Sequence, residues 1–229
     1  MFKFSHKVFH LDKHVEREHL YKLINDYVGQ HSSEIDTPTV EISCKEELDN
    51  FCINYNINFK KEGYRIGPEQ GWRWGELSLW VGNILAYKKF IETDSDYLIL
   101  IEDDIEYIDG FFENLVRYIL QLPNDWDTFF YYNSNHENIS LQNLLFIDNY
   151  DICKVDQSWS TLCYVINKKS AKKILDDIAI NCIDLPIDHY FLLQPHKYNS
   201  YTVSRNSKMY CKIANLESTF QNSQKREIL

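Results

Sequence analysis

Apolar positions along this chain recur with two periods in turn. Val8-Phe9-His10-Leu11 reads as a short strand, and Leu20, Leu23, Ile24 and Tyr27 after it fall at i, i+3, i+4, i+7, the stripe of an amphipathic helix. Pro38 to Ile42 reads as a second strand. Ser43 with Glu46 fits a capping box, ahead of Leu48, Phe51, Cys52 and Tyr55 at helical spacing. Residues 56 to 75 hold four of the seven glycines, together with Tyr64, Trp72 and Trp74, and predict a long loop. From Gly75 to Phe90, the positions Leu77, Trp80, Val81, Ile84 and Leu85 form another helical stripe, and the apolar run from Tyr97 to Ile101 is a buried strand. Phe112, Leu115, Val116 and Ile119 mark a further helix, and Thr128 to Tyr132 a further strand. The pattern then predicts a pair of short strands over 144 to 155 around Asp148-Asn149, and a strand from Leu162 to Ile166. A helix through Ala171, Ile174, Leu175 and Ile178 follows, with strands near 200 to 203 and 209 to 213. This alternation predicts an α/β fold with a mostly parallel sheet covered by helices on both faces.

Composition narrows the class. No Pro- or Gly-rich linker divides the 229 residues, so a single domain is expected. A hydrophobic fraction of 44% with 15% aromatics argues against disorder, and the apolar stretches are too short to span a bilayer. Met1-Phe-Lys-Phe-Ser5 runs into charged sequence without the apolar stretch of a secretory signal, which points to a cytoplasmic protein. The six cysteines form no Cys-x-x-Cys pair and stand near no His at zinc-ligand spacing; they read as small core residues. A net charge of −10 without a basic stripe disfavours nucleic acid. It also means that a phosphate-bearing ligand must be neutralised locally, by a cation or by placed Arg and Lys residues.

Candidate chemistry concentrates at Glu102-Asp103-Asp104, directly after the buried strand. Carboxylates at the carboxyl end of a strand stand at the rim where open α/β sheets bind ligands. Their mutual repulsion is relieved by a hard divalent cation that also binds phosphate oxygens. Residues two apart on a strand point the same way, so Glu102 and Asp104 can converge while Asp103 points elsewhere. The ordinary alternative is a solvated strand end, with one Asp capping the next helix.

Several segments in order resemble glycosyltransferase family 25, which contains bacterial lipooligosaccharide galactosyltransferases and relatives of the collagen galactosyltransferases. His10-Leu-Asp-Lys-His-Val-Glu-Arg17 is similar to the family's opening strand with its Leu, basic residue, Arg signature. Gly75-Glu-Leu-Ser-Leu-Trp-Val-Gly-Asn83 resembles the Gly-Glu segment, and Leu98 to Ile105 the Glu-Asp-Asp motif. Tyr164 to Ala171 resembles the strand-to-helix passage, and Leu185-Pro-Ile-Asp-His189 the late Pro-x-Asp motif. The chain departs from the pattern at Gly82-Asn83, where many members carry Ser-His. The stretch 205 to 229 also lacks the His that some metal-dependent relatives use, leaving His189 and His196 as the nearest.

The resemblance implies a GT-A-like fold in which residues 1 to 135 form the nucleotide-sugar half and 136 to 229 the acceptor side. It implies a UDP-sugar donor, most often UDP-galactose with UDP-glucose the other choice, a glycan or glycoconjugate acceptor, and Mn²⁺ or Mg²⁺ as cofactor. Asp104 is assigned to direct metal ligation. Glu102 is assigned to the metal through water or to the ribose hydroxyls. Leu11, Arg17, Glu76 and Asp103 are expected donor contacts; Arg17 could equally be a solvated helix-face residue, Glu76 an ordinary first-turn acid and Asp103 a structural hydrogen bonder. Asp188 is the expected general base, or else a helix cap. Trp72, Asn133, Asn135 and Trp159 are the expected acceptor contacts, with core packing the alternative for Trp72 and turn formation for Asn133 and Asn135.

Two other function classes compete. A non-catalytic glycan- or nucleotide-binding module would keep the fold without turnover, although it would have no use for three mutually repelling carboxylates. A metal-dependent phosphoesterase would need further acidic or His ligands at regular positions. No transmembrane segment is expected, and peripheral contact with a membrane remains compatible with the sequence.

Overall fold

The structure, a computed structural model, describes residues 2–62, 71–134, 151–155, 160–204 and 207–214. A seven-stranded sheet is its spine. The chain forms β1 (Phe4–Phe9), a 3-10 turn (Val15–Arg17), α1 (Glu18–Gly29), β2 (Ser33–Glu34), α2 (Lys45–Tyr55) and α3 (Trp74–Glu92). Then come β3 (Tyr97–Glu102), β4 (Ile105–Tyr107), α4 (Phe111–Ile119), β5 (Thr128–Phe130) and β6 (Ile152–Lys154). The last elements are β7 (Cys163–Asn167), α5 (Lys168–Ile180), α6 (Ile187–Leu192), β8 (Ser200–Val203) and β9 (Cys211–Ile213).

The strand order is β2-β1-β3-β7-β5-β8-β6, with β4 and β9 paired in a separate two-stranded sheet. Pairs β1–β2, β1–β3 and β5–β8 are parallel, whereas β7 runs against both neighbours and β6 runs against β8. The sheet is therefore mixed, and less parallel than the alternation predicts. The expected division at residue 135 does not partition it, because β7 from the later segment lies between β3 and β5.

Both faces are covered. Leu98, Leu100, Phe130, Tyr164 and Ile166 face a core shared with α2, α3, α5 and α6, while Ile99, Ile101, Phe129, Cys163 and Val165 face one shared with α1 and α4. Gly82 lets α3 lie close on β1: a Cβ there would stand 3.1 Å from the Phe9 ring. Gly110, at φ 85°, turns the chain into α4.

Local details differ from the sequence expectations. The first strand starts and ends earlier than Val8 to Leu11. Pro38 to Ile42 makes no ladder among the described residues; Ile42 N donates instead to Ser78 Oγ at 2.8 Å. Cys44, not Ser43, occupies the N-cap of α2, and Ser43 bonds Glu47 instead, through its N–H at 2.8 Å and its hydroxyl at 3.0 Å. On α1 the buried positions are Ile24 and Val28, whereas Leu23 is exposed. The expected hairpin over 144 to 155 is described only at β6, its remainder lying outside the described residues. Cys153, Cys163 and Cys211 are buried as expected, but Cys44 and Cys182 are exposed. Among the described residues no helix is long and apolar enough to cross a membrane.

Candidate functional site

β1 and β3 pair in parallel register from Phe4↔Tyr97 to Phe9↔Glu102, so the chain leaving β1 and the turn leaving β3 emerge at one rim. Asp103 lies under the loop that follows β1. Its Oδ2 is 2.7 Å from His10 Nδ1, and its Oδ1 accepts from Arg17 Nη1 at 2.8 Å. The same Nη1 lies 3.5 Å from Asp104 Oδ2. His10 continues the chain to Glu18 Oε2 at 2.9 Å and stacks on Tyr21 with ring centroids 4.7 Å apart. Arg17 is 5% exposed and Asp103 4%, so Arg17 is not a solvated helix-face residue. A guanidinium keeps its charge when buried, and the carboxylates around it offset the cost of that burial.

Glu102 and Asp104 are less well compensated. Thr161 Oγ1 donates to Glu102 Oε1 at 2.8 Å, and burial, followed by the charge of Asp104, pushes the Glu102 carboxyl up to about 8. Burial also raises Asp104, against the pull of Arg17. Asp104 Oδ1 is buried with no hydrogen-bond partner among the described residues, while its backbone carbonyl accepts from Ala214 N at 2.7 Å and fixes the turn to β9. Asp188, in the first turn of α6, contributes to the Glu102 shift and is itself pushed up to about 6 by burial. Its Oδ1 accepts from the following N–H of His189 at 2.8 Å.

Beside this group lies a cleft of about 360 Å³. Glu102, Asp103, Arg17 and His14 form its charged side, and Leu11, Val40, Leu79 and Trp74 an apolar wall. The first turn of α3, at Trp74 and Gly75, borders it, and helix N-termini favour anions. Two half-buried carboxylates, one with an oxygen that has no hydrogen-bond partner among the described residues, are a donor set that a hard divalent cation would complete. Among the described residues no group of three or more His, Cys, Asp or Glu side chains is arranged to hold a metal, so remaining oxygens would come from phosphate and water.

Other expected site residues lie elsewhere. Trp72 is wholly buried, donates Nε1–H to Lys60 O at 2.9 Å and packs edge-on to Phe59; with no exposed face it is a core residue and not an acceptor contact. Glu76 turns back to accept from Arg73 N at 2.9 Å, closing a capping box on α3. Asn133 is buried and donates to Val203 O at 3.0 Å, so it ties the end of β5 to β8. Asn135 and Trp159 lie outside the described residues, as do residues 63–70 of the expected loop. Asn83 is buried on α3 and accepts from Tyr164 Oη, an internal bond that replaces any ligand contact there. His189 adjoins Asp188, whereas His196 is exposed in a turn.

His10 and Thr161 were not among the expected site residues. His10 stands within the opening motif, directly after β1, and that position was the available signal. Thr161 reaches Glu102 only because β7 runs antiparallel beside β3, which no local pattern announces.

No protein-family model matches the sequence, and no curated protein matches it. Among solved structures, the crystal structure of A197 from STIV is similar over 96% of this chain and 97% of its own, at 13% identity and a TM-score of 0.36, a likeness too distant to bear on function.

Proposed function

We propose that this protein is a metal-dependent inverting glycosyltransferase. It would move a hexose, galactose or glucose, from a UDP-sugar to a glycan or glycoconjugate acceptor of the kind built in lipopolysaccharide synthesis, acting in the cytoplasm. The observation that carries this reading is the pair Glu102 and Asp104, half-buried at the end of β3 with their charges incompletely compensated, Glu102 lining a ligand-sized cleft. The GT-A-like character of the sheet belongs to the same proposal.

In this reading the apolar wall of Leu11, Val40 and Trp74 takes the nucleoside. Arg17, fixed by Asp103, and the first turn of α3 face the diphosphate. Glu102 and Asp104 would hold Mn²⁺ or Mg²⁺, which as a Lewis acid stabilises the leaving diphosphate. Asp188 accepts the proton of the attacking acceptor hydroxyl; with its carboxyl raised to about 6 it is ionised at neutral pH yet more basic than an ordinary aspartate. Thr161 orients Glu102.

Titration calorimetry with UDP, with and without Mn²⁺, together with a screen of nucleotide-sugar hydrolysis, tests the reading. Cation-dependent UDP binding that Asp104→Ala removes is expected. Equal affinity in chelator, or full activity in that variant, would discard the metal assignment.

A further inference from the structure

A second cavity, of about 550 Å³, opens on the other side of the Lys13–Glu41 ion pair. It shares Leu11, Lys13, Thr39 and Glu41 with the first cleft. Its origin is topological. The β1–β2 ladder ends at His6↔Glu34 and the segment through Pro38 makes no further pairs with β1, so the outer edge of β1 from Lys7 onward faces a cavity instead of a strand.

Lys7 lines this cavity and is only 7% exposed. Its ammonium donates to the neutral carbonyl of Thr37 and has no carboxylate within ion-pair distance among the described residues. Glu34 and Asp36 act on it from farther away, and burial pulls its pKa below the ordinary lysine value. The other charges at the wall are mostly matched. Glu18 bonds His10 at 2.9 Å and Lys22 at 2.7 Å, Glu41 pairs with Lys13, and Asp12 stands exposed at the rim. Lys7 is thus a buried cation beside an open space, a situation that a counter-ion relieves.

We propose that this cavity is a second binding site, taking a small organic monocarboxylate whose charge is met by the Lys7 ammonium and whose body packs along Val8 and Tyr21. A single buried ammonium, with Asp12 and Glu41 at the rim, matches one negative charge and disfavours a phosphate dianion. The site is separate from Glu102 and Asp104, and the inference does not depend on the glycosyltransferase reading.

The test is an NMR titration of the metal-free protein with sodium acetate, with sodium chloride at equal ionic strength and inorganic phosphate as further arms. Acetate should shift the resonances of Lys7, Val8 and Tyr21 saturably, chloride should not, and phosphate should bind more weakly. Lys7→Met, which keeps the apolar stem, should weaken acetate by roughly tenfold or more, and Lys7→Arg should retain it. No saturable shift in the wild type, the same shift with chloride, or tighter binding of phosphate would each overturn the proposal, whether or not the variants fold. Undiminished acetate binding in folded Lys7→Met would do the same.

Discussion

Arg17 donates to Asp103 across 2.8 Å, a bond between residues 86 apart in the chain that ties the turn after β1 to the turn after β3. Both side chains are nearly buried, meeting solvent only at the edge of the cleft. Removing the carboxylate in Asp103→Ala leaves a buried guanidinium whose remaining carboxylates, Asp104 at 3.5 Å and Glu16 at 4.0 Å, are more distant, and should cost about 3–5 kcal/mol in urea denaturation. Exchanging both partners for apolar residues should cost less than the two single losses added together. A loss below about 1 kcal/mol in Asp103→Ala would mean that the pair does not hold the rim.

The acidic group should give metal-free protein an inverted pH response. Glu102 has its folded pKa raised from 4.5 to about 8, so the folded state binds the extra proton between those values. Its stabilising contribution is complete below the unfolded value and is lost as pH rises through about 8. Asp188, raised from 3.8 to about 6, acts with the same sign over a lower window. His6 and His14, lowered from 6.5 by burial, oppose it below that value, while Asp104, also raised by burial, acts with the same sign, so the range from 6.5 to 8 reports on the acidic group at the end of β3. Thermal melts in chelator should show stability falling across this range, and Glu102→Gln should flatten the slope. A slope unchanged in that variant would assign it to other groups.

For Asp188 the two roles separate cleanly. Asp188→Asn should leave UDP affinity intact and, because burial disfavours the charge, should not lower the melting temperature at pH 7. Sugar transfer should fall by roughly 10²-fold or more. Transfer near the wild-type rate would remove Asp188 from the mechanism; lost donor binding would place it on the donor side.

Trp72→Ala tests the corrected role of that residue. A wholly buried indole with a satisfied N–H should cost about 3–5 kcal/mol of stability on truncation. An unaltered denaturation midpoint with impaired transfer would instead support the acceptor contact expected from the sequence.

The long helices were legible because their stripes are strong: α3 and α5 fall close to where Leu77 to Leu85 and Ala171 to Ile178 put them. Strands failed where the sheet, not the residue pattern, decides. Val40 and Ile42 have strand character, yet their segment pairs with no strand among the described residues, while Ser33 and Glu34 pair with β1 despite being polar and exposed. The acidic triplet was visible as a charge anomaly, and strand alternation separates Asp103 from Glu102. What Asp103 does was not visible, since its partners His10 and Arg17 become neighbours only through the β1–β3 pairing. Trp72 illustrates the reverse error, in which ordinary packing accounts for a residue that looked available to a ligand.

The antiparallel strand β7, wedged between β3 and β5, also sets a limit on dissection of the chain. A fragment ending before residue 160 would retain the acidic triplet but lack the strand that covers the inner edges of both β3 and β5. Those two edges, apolar on both faces, would be left as templates for intermolecular pairing, so such a fragment should aggregate instead of reporting the ligand affinity of the cleft.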